Sequence, residues 1–345
     1  MAIKRSYTSA FEVTDLTEEL VSIPNTYGLI NELGIFRSEP VSQHTITVES
    51  NGTTLSLIKD QTRGSRNNVG KDDGREIRAF PIPHFPVDDY LSPQDLQGKR
   101  AYGSDAAETE EAAKARKMIS LRKRHAITVE FARAHAVTTG TIYAPNGTVA
   151  GNYYTDFGVQ RKEIAFDLTN AATDVLAKQR EVIDHIQENL ESGEVPTGFI
   201  ALCSPEFFDA YVQQAGVKEA YKFYQSTQEP LRNGLRDGRY AKFTHGDVTL
   251  YRYIGSYKDA NGVSQRIIPA NEAYYLPVGT EDTFISYFSP ANKLDLVNTL
   301  GEEVYLFEYR DPKGTKVELE SEHNALHLVR RPQAVVRAVK GSTVA

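Results

Sequence analysis

Hydrophobic spacing along the chain alternates between a period of two and a period near 3.6, and the changes mark out elements. Residues 1–38 hold neither period. Short apolar clusters (Leu16, Leu20, Val21; Leu29, Ile30, Leu33; Ile35, Phe36) are broken by Pro24 and Gly28, which predicts an arm lying along another surface. Residues 44–49 (HTITVE) alternate, Asn51-Gly52 follows, and residues 54–58 (TLSLI) resume the pattern, which predicts a hairpin turning at Asn51-Gly52. The glycines and mixed charges of residues 59–75 give no core stripe and predict a projecting tip. Strand character returns at residues 76–80 (EIRAF) and is expected to stop at Pro81, Pro83 and Pro86.

The strongest helical period covers residues 105–138. Asp105 is the expected N-cap, and Glu108, Glu110 and Glu111 sit where the positive end of the helix dipole favours them. Met118, Leu121, His125, Val129, Ala132 and Ala136 trace one buried stripe, and Gly140 ends the run. Thirty-odd residues at 1.5 Å each give about 50 Å, the length of a beam spanning a domain. After an Asn146-Gly147 turn, residues 164–168 read as strand. Residues 171–191 read as an amphipathic helix burying Val175, Val182, Ile183, Ile186 and Leu190, and residues 199–203 (FIALC) as a buried strand. Ser204-Pro205 opens a further helix with proline at its first position. The remainder reads mainly as strands, at 248–253, 273–276, 283–287, 304–309, 317–319 and 334–339. The pattern as a whole is α+β.

Composition adds bounds. At 345 residues the chain is long for one core and is expected to divide. A net charge of -7 argues against a protein whose main task is gripping nucleic acid. One cysteine, Cys203, allows no intrachain disulfide and suits a reducing compartment, and its apolar neighbours mark it as a small buried hydrophobe. No secretory signal and no apolar run of membrane-spanning length is present.

Candidate chemistry is sparse. No phosphate-binding glycine loop or nucleophile elbow occurs; residues 234–238 lack the required lysine and preceding strand. His323 and His327 have the spacing of a zinc helix, but Asn324 stands where the catalytic glutamate would be and the stretch reads as strand and loop, so neither a metal site nor a cofactor is expected. Two basic clusters remain. Lys59, Arg63, Arg66, Lys71, Arg75 and Arg78 surround the expected loop tip, interspersed with Asp60, Asp72, Asp73 and Glu76; they are either a solvated loop or a charged finger that docks on a neighbouring subunit. Arg116, Lys117, Arg122, Lys123 and Arg124 on the long helix could face nucleic acid, and are read in preference as a solvated face with intersubunit ion pairs.

Read from residues alone, the chain is a soluble two-part α+β protein with an arm, a long hairpin and a beam-like helix. Its sequence resembles the lambda-type phage major capsid protein family, major capsid protein E. The likeness runs through LTEELVSIPNTYGLINELGIFRSEPVSQHTITVESNGTTLSLI, the RGS at Arg63-Gly64-Ser65, and RAFPIPHFPVDDYLSPQDLQGKRAYG. It continues, in the family's order, through IIPANEAYYLPVGT, FISYFSPANKLDLVNTLG and EYRDPKGTKVELESEHNALHLVRRPQAVVRAV.

The resemblance implies a Hong Kong 97-like capsid fold: an N-terminal arm over 1–38, an extended β-hairpin loop over 39–103, a peripheral domain over 104–196 with the spine helix at 105–138, an axial domain over 197–290, and strands returning to the peripheral domain over 291–345. It implies a structural, non-enzymatic subunit that assembles as pentamers and hexamers into an icosahedral shell around packaged double-stranded DNA, touched only non-specifically. Scaffold, portal and decoration proteins are the implied partners, the virion the location and the host cytoplasm the place of assembly. An encapsulating shell, another virion part, an enzyme using scattered residues and a nucleic-acid-binding protein stay open as alternatives from the residues alone.

Overall fold

The computed structural model describes residues 14–15, 28–51, 75–97, 109–143, 149–190, 194–219, 240–258 and 264–343. Two six-stranded sheets organise them. The first runs Thr14–Asp15, Tyr305–Arg310, Val317–Val329, Phe284–Phe288, Arg37–Pro40, with His84–Leu91 also paired to Val317–Val329. The second runs Lys242–His245, Val248–Arg252, Gly198–Cys203, Glu272–Val278, Val336–Val339, Lys162–Ala165. The second sheet therefore joins strands from before 197 and after 291 to those of 197–290, while Phe284–Phe288 pairs in the first.

Strand Gly198–Cys203 explains its unbroken apolar run. Ile200 and Leu202 point into one cluster with Leu276, Leu326 and Leu328, and Ala201 and Cys203 into another with Phe207, Tyr211 and Tyr275. A strand covered on both faces has no reason to alternate. Helices Val175–Glu188 and Pro205–Gln213 cover the second cluster. The first of these is capped by Asp174, which accepts from the Ala177 amide, and so begins four residues later than its apolar spacing suggested. The second is capped by Ser204 with Pro205 at its first position, as the sequence predicted.

The long helix spans Glu110–Thr138, about 44 Å at 1.5 Å per residue. Its cap is Thr109, whose Oγ1 accepts from the Ala112 amide, and not Asp105: the backbone at Thr109 is still extended (φ -91°, ψ 152°), so the helix cannot begin earlier. All six stripe residues are buried. Over its C-terminal third the helix is buried nearly all round, because Ala134, Ala136 and Val137 enter the cluster that both sheets share.

Three strand expectations need correction. Thr45–Asn51 pairs with Arg75–Pro81, with Asn51 opposite Arg75, so Asn51 ends a strand instead of starting a two-residue turn. The prolines do not end the strands: His84–Leu91 forms an eight-residue strand through Pro86. It pairs on one side only, so the missing proline N–H removes no ladder bond. The short strand expected at 317–319 runs on to Val329, and the histidines lie within it. The expected Asn146-Gly147 turn lies outside the described residues, between the paired strands Thr141–Tyr143 and Val149–Asn152.

Candidate assembly surfaces

The Thr45–Asn51/Arg75–Pro81 hairpin is rooted in the core by Ile46 and Phe80. Phe80 packs against Tyr153 and Phe157 with centroids 6.1 and 5.8 Å apart. Of the six predicted contact residues, Lys59, Arg63, Arg66 and Lys71 lie outside the described residues. Arg75 opens the return strand. Arg78 is half-buried, its guanidinium 5.7 Å from the centre of the Phe157 ring, a cation–π contact within its own chain. The structure thus places Arg78 at the hairpin root and not at an outer tip.

The basic cluster of the long helix divides. Lys117 pairs with Asp89 (2.8 Å) and the buried Arg122 with Glu303 (3.2 Å), joined by Lys114 with Glu308 (2.7 Å). These bonds fasten the helix to the strands of the first sheet within one chain, which corrects the expectation of intersubunit pairing for Lys117 and Arg122. Lys123 and Arg124 are exposed on the opposite side.

Beneath the helix lies a polar junction that spacing alone did not reveal. Ser321 Oγ donates to Val87 O (2.5 Å) and lies 2.9 Å from His125 Nε2, and His125 Nδ1 lies 2.7 Å from His323 Nδ1. Burial, with the Arg122 cation beside it, lowers His125 to about 4; burial and His125 lower His323 well below the usual histidine range. His327 is buried further along the same strand, 2.8 Å from Ser286 Oγ. Four residues of strand separate the two histidines by about 13 Å, too far to share a metal ion. Among the described residues no group of three or more His, Cys, Asp or Glu side chains could hold one. Cys203 is fully buried, which pushes its thiol well up.

A second junction centres on Glu130. Its carboxylate accepts from the Ile30 and Asn31 amides (2.9 Å each) and from Tyr253 Oη (2.5 Å), tying the segment after Gly28 to the helix. Gly28 has φ +93°, and a Cβ there would fall 2.1 Å from the Glu130 carboxyl carbon, so only glycine fits. Burial raises the Glu130 carboxyl.

The face of the first sheet turned away from the helix is the most exposed organised surface. Register sets Asp88 opposite Glu320, Tyr90 opposite Glu318 and Pro86 opposite Glu322. Phe307 lies on the other side of Glu320, Tyr305 of Glu322 and Tyr309 of Glu318. The segment after Phe288 crosses this aromatic row: Ala291 and Leu296 pack on Tyr305 and Phe307, and Lys293 reaches Glu320 (2.6 Å) and Tyr309 Oη (2.7 Å). It is held further by Asn292 N to Glu322 Oε1 (2.7 Å) and Gly301 N to Val41 O (3.1 Å). On this fixed platform Leu294 is 92% exposed, Val297 61% and Leu300 64%, and Tyr90 beside them is 61% exposed. The residues 318–322 (ELESE) carried the signal, carboxylates at every second position; its meaning depended on seeing the strand extended past Leu319.

An arm-fed sheet, a rooted hairpin and a long helix across two sheets define a viral capsid fold. The mature capsid protein of bacteriophage PhiM1 shares it at a TM-score of 0.55 with 12% identity, covering 100% of this chain and 92% of that one. The capsid of cyanophage P-SCSP1u does so at 0.52 with 9% identity, covering 98% and 92%. The model of the phage major capsid protein E family matches residues 12–340, and the chain belongs to that family. It is 44% identical over 337 residues to the major capsid protein of Pseudomonas phage KPP10, covering 95% of this chain and 96% of that one. It is 30% identical to the major capsid protein of Salmonella phage Felix O1, covering 97% of each. The protein is a structural capsid subunit with the Hong Kong 97-like fold.

Proposed function

We infer that this subunit forms pentamers and hexamers of an icosahedral tailed-phage head, assembled in the host cytoplasm around a scaffold and joined to a portal, and later filled with double-stranded DNA held by non-specific contacts. Residues 1–38 act as an arm, the segment through 39–103 as an extended loop, and residues 197–290 supply most of an axial domain; 104–196 and 291–345 supply most of a peripheral one. The subunit has no catalytic task in this scheme.

The observation that carries the reading is the hairpin. Ile46 and Phe80 fix its root, and the sequence it holds out contains Lys59, Arg63, Arg66 and Lys71 without an apolar stripe of its own. Such an element gains nothing for an isolated subunit and suits contact with a neighbour. Many such contacts around a closed shell add up to high avidity although each is modest. Replacing residues 60–74 by a short Gly-Ser linker tests this. The variant keeps the wild-type thermal melt and fails to form shells in electron micrographs; normal shells from it would refute the role of the loop.

A further inference from the structure

The acidic, leucine-studded outer face of the first sheet has no role in the subunit's own folding. Asp88, Glu318, Glu320 and Glu322 project from two adjacent strands, and among the described residues only Lys293 (to Glu320) and Lys316 (to Glu318, 2.5 Å) are lysines paired with them. Asp88 stands directly opposite Glu320, an arrangement that destabilises an isolated sheet. Burial and the Glu320 charge accordingly raise the Asp88 carboxyl. Beside the carboxylates, Leu294, Val297 and Leu300 stand out from backbone that hydrogen bonds hold rigid. Scattered surface leucines need no explanation, but three aliphatic side chains in register on a fixed turn, with Tyr90 next to a net negative strip, form a surface awaiting a cover.

Charge identifies the cover. Residues 61–71 of this same chain carry Arg63, Arg66 and Lys71 and no carboxylate. They belong to the stretch between Asn51 and Arg75, which the rooted hairpin sends out and takes back. We propose that the outer face formed by Asp88, Glu318, Glu320, Leu294, Val297 and Leu300 is the docking surface for the basic segment 61–71 of a second copy of this chain. The cations of one subunit meet the carboxylate strip of the next, and the aliphatic platform is covered by the same contact. Within one shell every subunit then gives one segment and receives one, a head-to-tail contact that closes into rings. The inference rests on the assembly reading above.

The test is a charge exchange in the full-length chain, with shells counted by electron microscopy after gradient sedimentation. D88K/E318K leaves folding intact, because the Asp88→Lys change sets a cation opposite Glu320. Expected: D88K/E318K and R63E/R66E each reduce assembled particles about tenfold or more at unchanged melting temperature, and the four-way variant restores them. L294Q/V297Q/L300Q also folds and assembles poorly. Wild-type assembly by D88K/E318K overturns the proposal. So does a four-way variant as defective as its halves, which would mean that the face meets a different protein. If the wild-type chain itself forms no shells or rings under any condition, the assembly reading fails first and this proposal with it.

Discussion

Acid should loosen the fastening between the long helix and the first sheet well before it protonates ordinary carboxylates. Ser321 Oγ spends its proton on Val87 O, so it accepts the Nε2 proton of His125. His125 Nδ1 is then bare and accepts the Nδ1 proton of His323, whose Nε2 is buried with no hydrogen-bond partner among the described residues. Both rings are neutral, and a proton added to His125 would set one N–H against another. The folded pKa of His125 is lowered from 6.5 to about 4. Between those values the unfolded chain binds the proton and the folded chain does not, so stability is full above pH 6.5 and falls as pH falls toward 4. The loss from His125 alone is about 3 kcal/mol, at up to about 1.4 kcal/mol per pH unit, and His323 adds to it in the same direction. Urea denaturation of the subunit at a series of pH values from about 7.5 to 5 reads this slope above the range where most carboxylates titrate. The double variant His125→Gln/His323→Leu starts less stable and has a shallower slope, because two titrating groups are gone while His135 and His327, also lowered by burial, remain. An equal slope in variant and wild type would refute the neutral-pair reasoning.

Leu202→Ala removes a fully buried side chain shared by both sheets and lowers subunit stability by about 2–5 kcal/mol in chemical denaturation. Glu130→Ala strands the Ile30 and Asn31 amides and the Tyr253 hydroxyl and costs about 3 kcal/mol or more; hydrogen exchange at Ile30 and Asn31 rises with it. Gly28→Ala forces a left-handed alanine against Glu130 and destabilises by about 1–3 kcal/mol in the same assay. Leu294→Gln, by contrast, changes the subunit's own stability by less than about 0.5 kcal/mol, since the side chain touches little.

Elements with strong local grammar were legible in the sequence. The helical stripe from Met118 to Ala136, the Ser204-Pro205 helix start and the buried strand 199–203 are all found where spacing and capping placed them. What escaped was decided by pairing across long separations. Pro86 reads locally as a strand breaker, and only the one-sided pairing of His84–Leu91 with Val317–Val329 lets it stand in a strand. Asn51-Gly52 reads as a tight turn, yet the partner of Thr45–Asn51 is Arg75–Pro81. Glu130 and Arg133 look like surface charges at helical spacing and are buried because two sheets close around that part of the helix. The outer acidic face needed the register of three strands before its alternating glutamates meant a surface.

The central claim is that this chain builds a shell, and the most direct measurement is negative-stain electron microscopy of the full-length protein, expressed alone and with scaffold and protease genes neighbouring its own. The account predicts closed shells, capsomer rings or tubes. Monodisperse monomer in every condition would contradict it.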